Sequence, residues 1–308
     1  MIVSASRRTD LACCFPEWLM RRLRAGTVLV RNPFRPSQIS RVTLTPDVVD
    51  CIVLWTKDPA PLLPFLPELE SMGHRFCFHF TLTPYDSTLE RGLRDKRAIV
   101  ETFQLLGGTI GRHRMHWRYD PIIVNNAWTM RRHEAAFARL CELLWPYAAD
   151  VTISFVDLYP GRTTSLQAVS AQQMEALCRS IGQIAGQYGL PVRACCEATD
   201  FTRFGILPGS CLSREALEAA CGYSLALRPD RAQRKGCGCM QSVDIGAYNT
   251  CRNGCVYCYA TGSASVVDRQ NAAHDPDGEL LVGRPGRNDT IKQRPAVSLR
   301  APAPLFPF

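Results

Sequence analysis

Short apolar runs, each closed by polar or turn-forming residues, alternate along this chain with longer stretches whose apolar residues recur every three or four positions. The runs "MIVSAS" (1–6), "DCIVLWT" (50–56), "RFCFHFTLT" (75–83), "RMHWRYDPII" (114–123), "DVTISFVDL" (150–158), "PVRACCE" (191–197) and "VDIGAYN" (243–249) are rich in β-branched and aromatic residues and predict strands. The helical period predicts helices over 15–26, 96–108, 130–148 and 170–189, the last stopping at Gly189 with Pro191 beyond it. Residues 27–45 read as a hairpin inserted after the first helix, with Asn32 and Pro33 at its turn. Strand–helix alternation of this kind predicts an α/β fold with a parallel sheet, closed as a TIM-like (β/α) barrel. An open doubly wound sheet is the competing arrangement, though no G-x-G-x-x-G follows any strand. The barrel would span residues 1–260. Residues 261–308, rich in Pro, Gly, Arg and Ser and without a period, predict an extended or disordered tail.

In such a barrel, chemistry gathers at the C-terminal ends of the strands, and those ends are polar here. The first strand runs into Arg7, Arg8 and Asp10, and the second ends at Lys57. The fourth carries Arg118, Tyr119 and Asp120; the fifth, sixth and seventh end at Asp157, Glu197 and Asn249. Any one of these suits a cap or a loop. Together they predict a cationic mouth, with Lys57, Arg118, Tyr119, Asp120, Asp157 and Glu197 as candidates to touch a substrate. The formal charge of +8 points to a small, phosphorylated molecule, or else to nucleic acid. The first residues lack the pattern of a secretory leader, and no run of about 18 apolar residues occurs. A cytoplasmic protein without a membrane partner is expected.

Fifteen cysteines in such a chain do not read as a disulfide framework. Cys51, Cys141 and Cys178 sit in apolar patterns and suit a core. Two groups look different. Cys251, Cys255 and Cys258, in "NTCRNGCVYCYA", are spaced C-x3-C-x2-C with Tyr257 before the last. Three thiols are one short of a closed zinc site, and one short of the usual four around a [4Fe–4S] cluster. A cluster held by three leaves one iron open to a small ligand. Upstream, Cys211, Cys237 and Cys239, with Cys195 or Cys196 from the sixth strand, make a set of four suited to zinc or to an auxiliary [4Fe–4S] cluster. On a strand, Cys195 and Cys196 face opposite ways.

The stretch "CRNGCVYC" resembles the radical S-adenosylmethionine (SAM) signature. That resemblance implies that Cys251, Cys255 and Cys258 hold a [4Fe–4S] cluster whose open iron binds SAM. It further implies reductive cleavage of SAM to a 5′-deoxyadenosyl radical, with Tyr257 near the adenine. A reductase or a flavodoxin- or ferredoxin-type protein would supply the electron. Longer stretches, among them "MIVSASRRTD", "DCIVLWTKDP", "WRYDPI" and "GCGCMQSVDIGAYNTCRNGCVYCYA", resemble the DUF1848 family over roughly residues 1–260. This second resemblance places the auxiliary ligand at Cys195.

In the superfamily the cysteine loop normally follows the first barrel strand, whereas here it follows the last. Circular permutation accounts for that order if the last strand lies beside the first, as close chain termini allow. Arg7, Arg8 or Asp10 would then hold the methionyl end of SAM, with Asn249 beside the loop. The expectation is a radical SAM enzyme acting on a small polar substrate, with sulfur insertion from the auxiliary cluster as the favoured chemistry. Dehydrogenation with that cluster as electron acceptor is one alternative. A zinc or iron–sulfur protein that binds or repairs nucleic acid is the other.

Overall fold

The computed structural model describes residues 1–159, 166–234 and 236–302, so positions 303–308 of the expected tail lie outside the described residues. In chain order the strands are β1 (Ile2–Ala5), β2 (Thr27–Arg31), β3 (Gln38–Thr43), β4 (Cys51–Thr56), β5 (Phe76–Thr81) and β6 (Met115–Ile122). They continue with β7 (Asp150–Phe155), β8 (Val192–Cys195), β9 (Ile206–Gly209), β10 (Val243–Asp244) and β11 (Thr290–Gln293). Eight of them form one sheet in the order β10-β1-β4-β5-β6-β7-β8-β9, and every neighbouring pair in it is parallel. The architecture is mixed α/β: a large parallel sheet flanked by helices, with β10 and β9 at its edges.

Both faces of this sheet are covered, which is why its strands read as nearly unbroken apolar runs. Val3, Leu54, Phe78, Trp117 and Ile153 join one core. Helices Pro16–Arg24, Lys96–Ile110, Met130–Leu144 and Ala171–Gln187 bury their apolar residues in that same core. Ile2, Val53, Cys77 and Cys195 alternate to the other face, where they meet Leu217 and Cys221 of helix Arg214–Cys221. The periodicity reading above does not include that helix, although Ser213 caps its start and Gly222 ends it with a left-handed φ of 75°. Strand β9 is also absent from that reading. Its sequence, ILPG, carries a proline and a glycine, which an edge strand tolerates and a central strand does not.

The last strand does lie beside the first, with Val3 opposite Val243 and Ser4 opposite Asp244. Only two residues pair rather than the seven expected from 243 to 249. The Ile245 N–H still donates to the Ser4 carbonyl at 3.0 Å, but beyond it the chain crosses directly over Ser6. A Cβ on Gly246 would fall 2.2 Å from Ser6 Oγ, so glycine alone fits that crossing. Asp244 locks the junction. Its carboxylate accepts from Ser4 Oγ (3.0 Å), Ser6 Oγ (2.7 Å), the Arg7 N–H (2.8 Å) and the Gly246 N–H (3.0 Å).

Strands β2 and β3 pair antiparallel as a hairpin. The described part of the segment after residue 260 is more ordered than an extended or disordered tail. It holds helix Ala264–Ala272, and β11 pairs parallel with β3. Farther on, Ser298 Oγ and the Leu299 N–H donate to buried Asp50 at 2.6 and 2.7 Å. No helix among the described residues is long and apolar enough to cross a membrane.

Asp244→Ala strips the acceptor from four donors at the β1–β10 junction. We expect a loss of about 2–3 kcal/mol in chemical denaturation, the cost of buried donors left without partners.

Candidate functional site

The C-terminal ends of the main-sheet strands open into one cavity of about 860 Å³. Arg7, Arg8 and Asp10 line it after β1, Lys57 after β4, Arg118 and Asp120 from β6, and Asp157 after β7. Cys251, Cys255, Tyr257 and Cys258 line it as well, and so do Cys195, Cys211, Cys237 and Cys239. Both cysteine groups of the sequence therefore face the same space.

Three expected site residues do not line this cavity. Tyr119 alternates to the opposite face from Arg118 and Asp120, as strand geometry requires; its hydroxyl lies 2.7 Å from His133 Nδ1 in the helical core. Glu197 faces a smaller cavity and accepts the Phe155 N–H at 2.8 Å. Asn249 closes the base of the cysteine loop: its N–H donates to the Ala260 carbonyl (2.9 Å) and its Oδ1 accepts the Gly262 N–H (2.6 Å). Its φ of 63° is a left-handed conformation that asparagine tolerates.

The mouth is also less cationic than expected. Arg7, Arg8, Lys57, Arg118, Arg234 and Arg294 face Asp10, Asp120, Asp157, Asp230 and Asp244. Several of these charges are paired, Arg118 with Asp120 and Arg234 with Asp157.

Two buried carboxylates fix the 251–258 loop. Asp10 accepts the Cys13 N–H (2.9 Å) through Oδ1, and the Lys57 N–H (2.7 Å) and Asn253 Nδ2 (3.0 Å) through Oδ2. It thereby ties the loop to the ends of β1 and β4. Burial pushes its carboxyl up to about 6, against the pull of these donors. Glu90 grips the loop from the other side. It accepts from Lys57 Nζ (2.7 Å) and Thr83 Oγ1 (2.8 Å), and also from Lys96 and the Tyr257 hydroxyl. Burial alone would raise Glu90, but Lys57 and Lys96 overcome it and hold the carboxyl at about 2.

The backbone adds a short antiparallel clasp. The Gly92 N–H donates to the Asn253 carbonyl (2.9 Å) and the Val256 N–H to the Leu89 carbonyl (3.0 Å). Contact is so close that a Cβ on Gly92 would sit 2.2 Å from the Arg252 carbonyl oxygen. Asp10 stands among the predicted site residues, but Glu90, Gly92 and Asn253 do not. Asn253 sits inside the cysteine motif, whereas residues 89–92 carry no motif and only the folded chain brings them to the loop.

The second thiol group converges on the sheet face opposite the main helical core. Cys195 Sγ and Cys211 Sγ lie 3.1 Å apart, and the Leu212 N–H donates to Cys239 Sγ at 3.5 Å. Cys195 is thus the strand residue that joins the group. Cys196, with a φ of 60°, faces the smaller cavity instead. Packed in the same buried cluster, Trp55 has two guanidinium groups near its ring, Arg7 at 4.8 Å and Arg118 at 5.1 Å from the centroid. His79 stacks on Trp55 at 4.4 Å and His116 on His79 at 5.0 Å. Burial and the neighbouring cations keep His79 neutral.

All seven thiols are soft donors facing one cavity, which is the donor chemistry an iron–sulfur cluster requires. A single metal ion draws its ligands to about 2.3 Å, and among the described residues no three Cys, His, Asp or Glu side chains form a group ready to hold one. Burial pushes the Cys255 thiol up to about 12, while the Lys57 ammonium pulls the other way. Metal binding would therefore release a proton here. Cys14 packs against the loop, accepting the Arg252 N–H at 3.5 Å, but it does not line the cavity.

The fold and site define an α/β protein whose strand ends surround a cavity bearing two thiol groups. The chain belongs to the DUF1848 family, a domain of unknown function, which matches residues 2–260. No curated protein matches it. A solved structure of a candidate α-L-fucosidase from Bacteroides thetaiotaomicron is similar at 15% identity, over 73% of this chain and 82% of that one. Its TM-score of 0.23 is too low to carry any argument.

Two titrations check the carboxylates. Because Glu90 is held below its ordinary 4.5, it contributes stability above that pH, of about 3 kcal/mol, which is lost as pH falls toward 2. Glu90→Gln should lower neutral-pH stability by a similar amount and flatten the acid limb of the stability–pH curve. Asp10 has the opposite sign: its contribution is full below 3.8 and is lost as pH rises through about 6. Carbon-13 NMR should show one carboxyl titrating near pH 6, absent in Asp10→Asn.

Proposed function

We propose that this protein is a radical SAM enzyme in which Cys251, Cys255 and Cys258 hold a [4Fe–4S] cluster. Cys195, Cys211, Cys237 and Cys239 would hold an auxiliary cluster of the same kind. The observation that carries the reading is that both thiol groups line one cavity, at the strand ends where an α/β enzyme places its chemistry. When bound, the three-cysteine cluster supplies the electron that cleaves SAM into methionine and a 5′-deoxyadenosyl radical.

The chain's own residues prepare that site. Asp10 and Glu90 fix the loop from two sides, and Lys57 sets a positive charge beside Cys255. Cys14 is hydrogen-bonded to Cys251 but does not line the cavity, so Cys251, Cys255 and Cys258 are the thiols of this loop that would hold the cluster. Arg8, next to the junction of β1 and β10, lines the cavity and would meet the carboxylate of SAM. Exposed Arg294 at the rim would meet the phosphate of a small polar substrate. Pairing of β10 with β1 supports the reading of the fold as a circularly permuted (β/α) barrel, with the cysteine loop entering beside the N-terminal strand.

Anaerobic reconstitution with iron and sulfide tests this. About eight irons per chain are expected, with 5′-deoxyadenosine formed from SAM and a strong reductant. Cys251→Ala should keep about four irons and lose 5′-deoxyadenosine formation. A protein that takes up zinc alone, or eight irons without SAM cleavage, would sink the proposal. Once a substrate is found, about one product per chain marks sulfur insertion, and many turnovers mark dehydrogenation.

A further inference from the structure

The two guanidinium groups around Trp55 are only partly used. Arg7 donates from Nη1 to Ser242 Oγ at 3.1 Å, and Arg118 donates from Nη2 to Asp120. Arg7 Nη2 and Arg118 Nε are buried and have no acceptor among the described residues. A buried donor without a partner costs about 1–3 kcal/mol, and more when it is charged. Two such donors on one aromatic ring mark a place built for negative charge.

The neighbourhood says which negative charge. Trp55 belongs to one buried cluster with Cys195, Cys211 and Cys239, so the guanidinium groups over its ring stand beside the thiol quartet. Asp120, beside Arg118, is already taken by Arg118 Nη2 and Ser154. The stacked His79 ring is neutral and offers no charge.

We propose that Arg7 and Arg118 are positioning residues for the buried thiol quartet, donating their free N–H groups to the sulfurs of the cluster held there. This rests on the quartet being an iron–sulfur site, as proposed above. Hydrogen bonds and positive charge at cluster sulfurs stabilise the more negative, reduced state and raise the potential. The pair of arginines therefore sets how readily that cluster takes an electron.

Reconstituted Cys251→Ala protein carries the quartet's cluster alone, and its midpoint potential is read by EPR-monitored redox titration. Arg7→Gln and Arg118→Gln, added singly to that background, should each shift the equilibrium at least threefold toward the oxidised form. Together they should shift it tenfold or more, about 59 mV for one electron. Arg118→Lys, which keeps the charge but lacks Nε, should fall between parent and Arg118→Gln, and it decides the matter if Arg118→Gln does not fold. A folded arginine variant that loses the quartet's iron supports the same contact, because the anionic cluster then lacks its counter-charge. Unchanged midpoints with about four irons retained overturn the role of the arginines. Zinc or no metal in Cys251→Ala itself overturns the quartet as a cluster site.

Discussion

Two paired residues at the edge of the main sheet, Val243 and Asp244 against Val3 and Ser4, decide where the cysteines go. Residues 237 and 239 lie just before this strand and residues 251–258 just after it. Laying β10 along β1 brings the 251–258 loop to the strand ends, where Cys237 and Cys239 line the same cavity. The ladder is too short to hold by its own backbone bonds. Asp244 compensates with side-chain bonds to β1 and to the turn beyond it, and Gly246 permits the close crossing that follows.

The loop is positioned by charge that has been taken out of water. Glu90 is wholly buried between two lysines and hydrogen-bonded to Tyr257, while Asp10 is buried without a cation of its own and leans on N–H donors. These are costly arrangements, tolerable only where every lone pair finds a donor. Their common effect is to fix the backbone on both flanks of the three cysteines. A site that must receive a large inorganic group benefits from thiols delivered on a rigid frame.

Much of the fold was legible because its strands are buried on both faces, so that runs such as CIVLWT and FCFHFT stand out against amphipathic helices. Strand β9 was not, since a proline and a glycine disguise it. Helix Arg214–Cys221 has readable caps, but its eight residues are too few for a helical period to stand out. At the site, the cysteine groups, Arg7, Asp10 and Lys57 were legible from spacing and from strand ends. Tyr119 was misplaced because consecutive strand residues were all assigned to the mouth, although alternation forbids it. Glu90 left no trace in the sequence. Its role comes from a contact 167 residues away, with Tyr257, and no local pattern encodes a pairing of that range.

The family match ends at residue 260, yet the chain continues with a strand that completes another one's hydrogen bonding. Hairpin β2–β3 would otherwise present β3 as an open edge, a ready template for pairing with other chains. By laying β11 against it, and by sending Ser298 and Leu299 on to Asp50, the added segment acts as an internal guard for an insertion that the main sheet does not cover. A chain cut at the family boundary would keep every cysteine, but it would carry a sticky edge and a buried carboxylate short of donors. Aggregation, rather than loss of chemistry, is then the first cost of leaving the segment out.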